Sequence, residues 1–245
     1  MKLQTPSSKM SEQEKNNVEA NVGISENFNE FSLDNLKSHF ETCLAEDGSI
    51  SIDKYLLGYD ELYKFLNLLG TIFGWVATEL YNKMETVRGH RKSDQAAKYE
   101  TIQTMLEYEI KTNMIKPKAK DFTNGSRNLL RLHWALEYVS SFFQAIPDLD
   151  ANDKCCKTSQ EAYKKTFAKN HPWVVQKAAL LAMNTLPTKV VLIQKFCKSE
   201  DKEAIEKTIT ALQESAKAMN KVYEATQDLY KEKNLLNLPW DYNSN

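Results

Sequence analysis

The sequence predicts an all-α protein, and three observations carry that expectation. Apolar residues recur at helical spacing in almost every segment from about residue 29 to Pro239. Pro117, Pro147, Pro172, Pro187 and Pro239 fall between those segments or at first turns, where a missing N–H costs least. The chain has only seven glycines and no hairpin dipeptide between alternating runs, so strands have little support. No internal repeat is visible. The expected architecture is a single domain over 29–239, with helices packed in layers around one core. At 245 residues the chain is long enough to bury that core.

The elements follow in order. Residues 1–28 are polar, rich in Ser, Asn, Glu and Lys, and poor in large apolar side chains. Such a stretch cannot offset its ordering entropy, so a disordered tail is expected there. NEFSLDNLKSHFETCLAE then carries Phe31, Leu33, Leu36, Phe40 and Leu44 on one side. A long apolar run, YLLGYDELYKFLNLLGTIFGWVATELYNKM, comes next, and SDQAAKYETIQTMLEYEIKTNM reads as the following helix. Beyond it lie a helix over about 127–146, one over about 154–169, and PWVVQKAALLAMNTL. In PWVVQKAALLAMNTL, Pro172 suits a first helical turn, with His171 as N-cap and Trp173 at the tip. A short helix starts after Pro187, and a long one spans about 202–233. Residues 240–245 form a short C-terminal tail.

The helix RNLLRLHWALEYVSSFFQAI holds the most informative pattern. Its core stripe is Leu129, Leu132, Leu136, Val139, Phe143 and Ile146. Beside that stripe, Arg127 and Arg131 stand one turn apart on a strip that continues through Ala135, Tyr138 and Phe142. A guanidinium stays charged and offers a planar fork of donors suited to phosphate or carboxylate. Two of them beside apolar surface suggest a partner that is anionic at one end and oily at the other.

Composition narrows the function classes. A net charge of −1 provides no global field for nucleic acid, so any electrostatic role is local. The four cysteines have no CxxC spacing and suit reduced thiols in a cytoplasmic protein. The start of the chain has no apolar signal region, and no run approaches the length of a membrane span. Asn124-Gly125-Ser126 fits a glycosylation sequon, which carries little weight without a secretory signal. There is no Gly-rich phosphate loop, HExxH, GxSxG or paired His/Cys spacing, so no catalytic residue, metal or cofactor is expected.

Several local groups have two readings each. Arg127 with Arg131 is either an anion site or a snorkelling surface pair. Glu79 and Lys83, at helical i and i+4, are either part of a site or a solvated ion pair. His171 is either a ligand contact or a cap, and Trp173 has the position of an interfacial anchor. Lys116, Lys118 and Lys120 around Pro117 are either a polar loop or, with Lys111, a patch for anionic lipid headgroups.

Taken together, FLNLLGTIFGWVATELYNKM, RNLLRLHWALEYVSSFF, NHPWVVQKAALLAMNTLPTK and VYEATQDLYKEKNLLNLP resemble the glycolipid transfer protein superfamily. They are most similar to its ceramide-1-phosphate transfer branch, over about residues 32–239. The resemblance implies a two-layer helical sandwich that opens a hydrophobic pocket for lipid chains. It implies carriage of one sphingolipid between membranes without turnover. It assigns the headgroup site to Glu79, Lys83, Arg127, Arg131 and His171. Where the sugar-lipid branch has a tryptophan platform this chain has Arg131, which points to phosphate. Where the family usually has aspartate, accepting from the ceramide amide, this chain has the longer Glu79. Phe65, Leu69, Phe73, Val76, Phe143, Val174 and Val175 are the expected pocket wall. Trp173, Lys116, Lys118 and Lys120 are the expected membrane contacts, on surfaces with anionic lipid. The implied partner is ceramide-1-phosphate or a related phosphosphingolipid, and the implied setting is cytoplasmic and transiently peripheral to membranes. The alternatives are a glycolipid carrier or sphingolipid sensor of the same fold and, more distantly, a lipid-acting enzyme or a helical adaptor.

Overall fold

In the computed structural model, the described residues are 30–116 and 123–238. The expected tails at 1–28 and 240–245 lie outside them, as do Lys118 and Lys120. The contacts divide the chain between Phe31 and Ser32, and the fold below is that of the unit beginning at Ser32. Nine α-helices and no strand occur among the described residues. They are α1 (Leu33–Glu41), α2 (Ile52–Leu68), α3 (Gly74–Arg91), α4 (Ile102–Lys111), α5 (Gly125–Ala145), α6 (Cys155–Lys165), α7 (Trp173–Met183), α8 (Lys189–Cys197) and α9 (Lys202–Glu232).

Side-chain caps set several of the starts. Ser32, Ser51, Asn124 and Asp201 each accept from a backbone N–H three residues on, satisfying one orphan donor of the first turn. Thr101 and Thr104 form a reciprocal capping box at α4. That box corrects the expected helix over 93–114: the regular helix begins only at Ile102, after a 3₁₀ turn over Ala96–Tyr99. The long apolar run also divides. Gly70 sits at φ 105°, a conformation other residues rarely adopt, and so separates α2 from α3.

Packing closes a ring. α9 lies along α5 and α1, α1 on α2, α2 on α3, and α3 back on α5. Closing that ring stacks the helices as a two-layer sandwich, with α6 against α5 and α7 against α6. All six residues of the predicted α5 stripe are buried, from Leu129 to Ile146. Polar bonds pin the layers across the core. Tyr230 Oη donates to Ser126 O at 2.8 Å, Ser140 Oγ to Ala216 O at 3.0 Å, and Ser215 Oγ to Leu33 O at 3.1 Å.

His133 is wholly buried on α5, its ring stacked on Tyr223 with centroids 4.5 Å apart. Its Nε2 lies 2.6 Å from Gln227 Oε1, which can only accept, so Nε2 carries the proton. Burial pulls the imidazole down to about 4, whereas an unfolded histidine titrates near pH ~6.5. Between those values the unfolded chain binds a proton that the folded one refuses. Stability is therefore fully present above pH ~6.5 and is lost as pH falls toward ~4, by on the order of 3 kcal/mol from this residue. His171, also lowered to about 4 by burial, acts in the same direction. Thermal midpoints measured across this window should fall for the parent and fall less steeply for His133→Gln. Equal slopes would remove His133 from the account.

Candidate functional site

A cavity of about 390 Å³ opens between α2, α3, α5, α6 and α7. Its wall takes Phe65, Leu66 and Leu69 from α2 and its end, Phe73 from the following turn, and Trp75, Val76 and Leu80 from α3. α5 contributes Leu132, Ala135, Tyr138, Val139 and Phe142. α6 and the turn after it contribute Tyr163 and Phe167, and α7 contributes Val175, Ala179, Ala182 and Met183. The charged or titrating polar groups on this lining, tyrosines aside, are Glu79, Lys83, Arg131 and His171. An apolar chamber with a few polar groups is the usual form of a small-molecule site.

The arginine helix is held from below. Asn124 Oδ1 accepts from Arg127 N at 3.1 Å, while Asn124 Nδ2 donates to Met114 O at 2.8 Å. The sequon asparagine is thus buried and committed to the helix cap. The wholly buried Glu109 turns its carboxyl oxygens onto the same helix start. It accepts from Gly125 N at 2.6 Å, Ser126 N at 2.9 Å, the Ser126 hydroxyl, and Tyr99 Oη at 2.9 Å. Acceptors belong at that end, where the dipole is positive and N–H groups lack helical partners. Gly125 makes the approach feasible: a Cβ there would stand 2.6 Å from Met105 Sδ and 3.2 Å from Glu109 Oε1.

Both arginines prove buried, at 3% exposure for Arg127 and 7% for Arg131. Arg127 Nη2 donates to Ile115 O at 2.9 Å. Arg131 donates from Nη1 to Arg127 O at 3.4 Å and from Nη2 to Leu238 O at 3.2 Å, and its guanidinium lies 4.8 Å over the Trp134 ring. Burial, and then the Arg127 charge, lower Arg131 to about 10, still a cation at neutral pH. Burial also lowers Arg127, against the pull of Glu109. A buried guanidinium offers a planar fork of donors suited to the oxygens of an anion.

On α3, Lys83 Nζ stands 3.6 Å from Glu79 Oε2 at the cavity rim, with Glu79 the more exposed partner. His171 reaches the cavity differently from the sequence expectation. Pro172 is the N-cap of α7 and Trp173 its first residue, so His171 is one residue outside the helix. Its side chain does not cap α7; its Nδ1 meets Tyr163 Oη at 2.7 Å.

Of the expected wall, Phe65, Leu69, Phe73, Val76 and Val175 line the cavity. Two residues need correction. Phe143 belongs to the core stripe behind the wall, buried edge-on against Phe65 at 5.1 Å, and its neighbour Phe142 lines the cavity instead. Val174 is 69% exposed because α7 turns Val175, Ala179, Ala182 and Met183 inward. Arg127 stands beneath Arg131 rather than on the lining itself. Trp75, Tyr138, Phe142, Tyr163 and Phe167 are wall residues that the sequence reading did not select. Tyr138 and Phe142 had a signal, since they extend the Arg127–Arg131 strip. Tyr163 and Phe167 had none, because only the packing of α6 on α5 brings them there.

Residues 50–198 match the family model described as Glycolipid transfer protein (GLTP). The chain is 31% identical over 212 residues to the ceramide-1-phosphate transfer protein of Xenopus tropicalis, covering 85% of this chain and 97% of that one. It superposes with a TM-score of 0.79 on the apo form of mouse ceramide-1-phosphate transfer protein, at 29% identity over 86% of this chain and 100% of that one. With human ceramide-1-phosphate transfer protein in complex with 2:0 ceramide-1-phosphate the TM-score is 0.77, at 28% identity over 86% of this chain and 100% of that one.

Proposed function

The chain belongs to the glycolipid transfer protein family, and on that premise we propose that it carries a sphingolipid, ceramide-1-phosphate, between membranes. The observation that carries this reading is the buried Arg127–Arg131 pair beside a largely apolar chamber. Arg131, Arg127 and Lys83 hold the phosphate through charge-assisted hydrogen bonds. His171 donates to a headgroup or ceramide oxygen, and Glu79 accepts from the amide. The lipid chains enter the chamber, where burial contributes about 0.8 kcal/mol per CH₂. Affinity thus comes from the chains and selection from the headgroup. No bond in the lipid changes: the protein extracts, shields and releases it.

Delivery needs contact with a bilayer. Among the described residues, no helix is long and apolar enough to cross a membrane, so that contact is made by a surface. On α7, Trp173, Val174 and Leu181 are exposed at 68%, 69% and 69%, and Ile72 in the turn before α3 and Trp75 in its first turn are half exposed. An apolar patch at the rim of a lipid chamber is an interaction surface, and indole rings favour the membrane–water boundary. Lys116, exposed, and Lys118 and Lys120, outside the described residues, supply the attraction to anionic lipid. Vesicle binding should rise with anionic lipid, weaken with salt, and drop for Trp173→Ala. Binding indifferent to all three would remove this docking face. The function itself is tested by mass spectrometry of lipid extracted from the purified protein. Ceramide-1-phosphate or a related phosphosphingolipid is expected, and a neutral glycosphingolipid in its place would overturn the headgroup assignment.

A further inference from the structure

The segment carrying His171 is fixed before any lipid arrives. His171 N donates to Ala168 O at 3.0 Å, and Gln176 Nε2 donates to both Ala168 O and His171 O at 2.9 Å. The imidazole packs on Phe167 with centroids 4.2 Å apart. Its Nδ1 faces Tyr163 Oη at 2.7 Å, and Tyr163 is a buried residue of α6. Burial pushes the phenol up to about 12, so it keeps its proton, while the imidazole, near 4, is neutral. Among the described residues, His171 Nδ1 is the hydrogen-bond partner of Tyr163 Oη, whose ring packs on those of Tyr138, Phe167 and His171. With the phenolic proton placed in this bond, Nδ1 is the acceptor. A neutral imidazole that accepts at Nδ1 carries its own proton at Nε2.

We infer that Tyr163 is a positioning residue for the headgroup site: by donating to Nδ1 it holds His171 as the Nε2–H tautomer, a committed hydrogen-bond donor to the lipid. The inference rests on the reading of the cavity as a phosphosphingolipid site. A phosphate or carbonyl oxygen offers lone pairs, so the opposite tautomer would set a nitrogen lone pair against it. Tyr163 removes that choice without adding a fourth positive charge beside Lys83, Arg127 and Arg131.

Tyr163→Phe keeps the ring and its packing and removes only the hydroxyl. In lipid-free protein labelled with 15N-histidine, two-bond 1H–15N spectra should report His171 as a single Nε2–H species, assigned by its loss in His171→Ala. The same spectra of Tyr163→Phe should contain both tautomers. Binding of short-chain ceramide-1-phosphate, followed by tryptophan fluorescence, should weaken roughly three- to tenfold, the loss of one ordinary hydrogen bond. In a His171→Ala background, Tyr163→Phe should cost nothing further. A proton on Nδ1 in the parent, an unchanged tautomer in the variant, or an equal loss without His171 would each overturn the assignment. Spectra as expected from a parent that binds no ceramide-1-phosphate would reject the lipid reading and leave the tautomer standing.

Discussion

Arg131→Ala is expected to abolish transfer of ceramide-1-phosphate between vesicles, with Arg127→Ala severely reducing it and the helix content of both unchanged. Arg131 lies on the cavity lining and Arg127 one turn beneath it, both on a helix packed against several others. A charge-assisted hydrogen bond to an anion is worth roughly 1.5–3 kcal/mol. A guanidinium makes two in parallel, so affinity for the headgroup should fall by about two orders of magnitude or more. Arg131→Lys keeps the charge and loses the fork, and should fall between parent and alanine variant. Removing a buried cation that repels Arg127 should not unfold the protein. Circular dichroism and thermal melting alongside the vesicle assay separate loss of function from loss of fold. Near-normal transfer by both alanine variants would return the pair to a structural role.

The second large effect is expected at Glu109, which touches no part of the cavity. Glu109→Ala deprives Gly125 N, Ser126 N, the Ser126 hydroxyl and Tyr99 Oη of their common acceptor at a site with no exposure. Leaving such donors unsatisfied in the core costs about 3–5 kcal/mol in sum. The start of α5 should fray, and with it the register of Arg127, whose N–H is the next donor along. Denaturant titration should show the lost stability, and transfer should fall even where the protein remains folded. Glu109→Gln retains one acceptor oxygen and should be milder. A Glu109→Ala protein as stable as the parent would mean that water takes over the acceptor role.

How much of this was legible in the sequence depends on the range of the contact. The core stripe of α5 and the strip of Arg127, Arg131, Ala135, Tyr138 and Phe142 are set by helical spacing, and the two meet at the cavity, where Leu132 and Val139 of the stripe stand beside Arg131, Ala135, Tyr138 and Phe142. Choosing Phe143 rather than Phe142 as wall is an error of one residue, about 100° around the helix. Val174 and Val175 differ in the same way. Apolar residues occur on most sides of α7, so its sequence does not say which side is the inner one until α6 packs on it. Gly70 was visible as a glycine in the long apolar run, but its positive φ follows from the chain reversal into α3. The Glu109 anchor and the Tyr163 hydroxyl were out of reach. One acts across 16–17 residues and the other across eight, without periodicity, through side chains whose aim is set by tertiary packing.

The most direct test of the account is a transfer assay with two labelled lipids in the same donor vesicles, ceramide-1-phosphate and a neutral glycosphingolipid. The protein is expected to move ceramide-1-phosphate to acceptor vesicles, chemically unchanged, while the glycosphingolipid stays behind. Movement of the glycosphingolipid with ceramide-1-phosphate left in the donor would contradict the account.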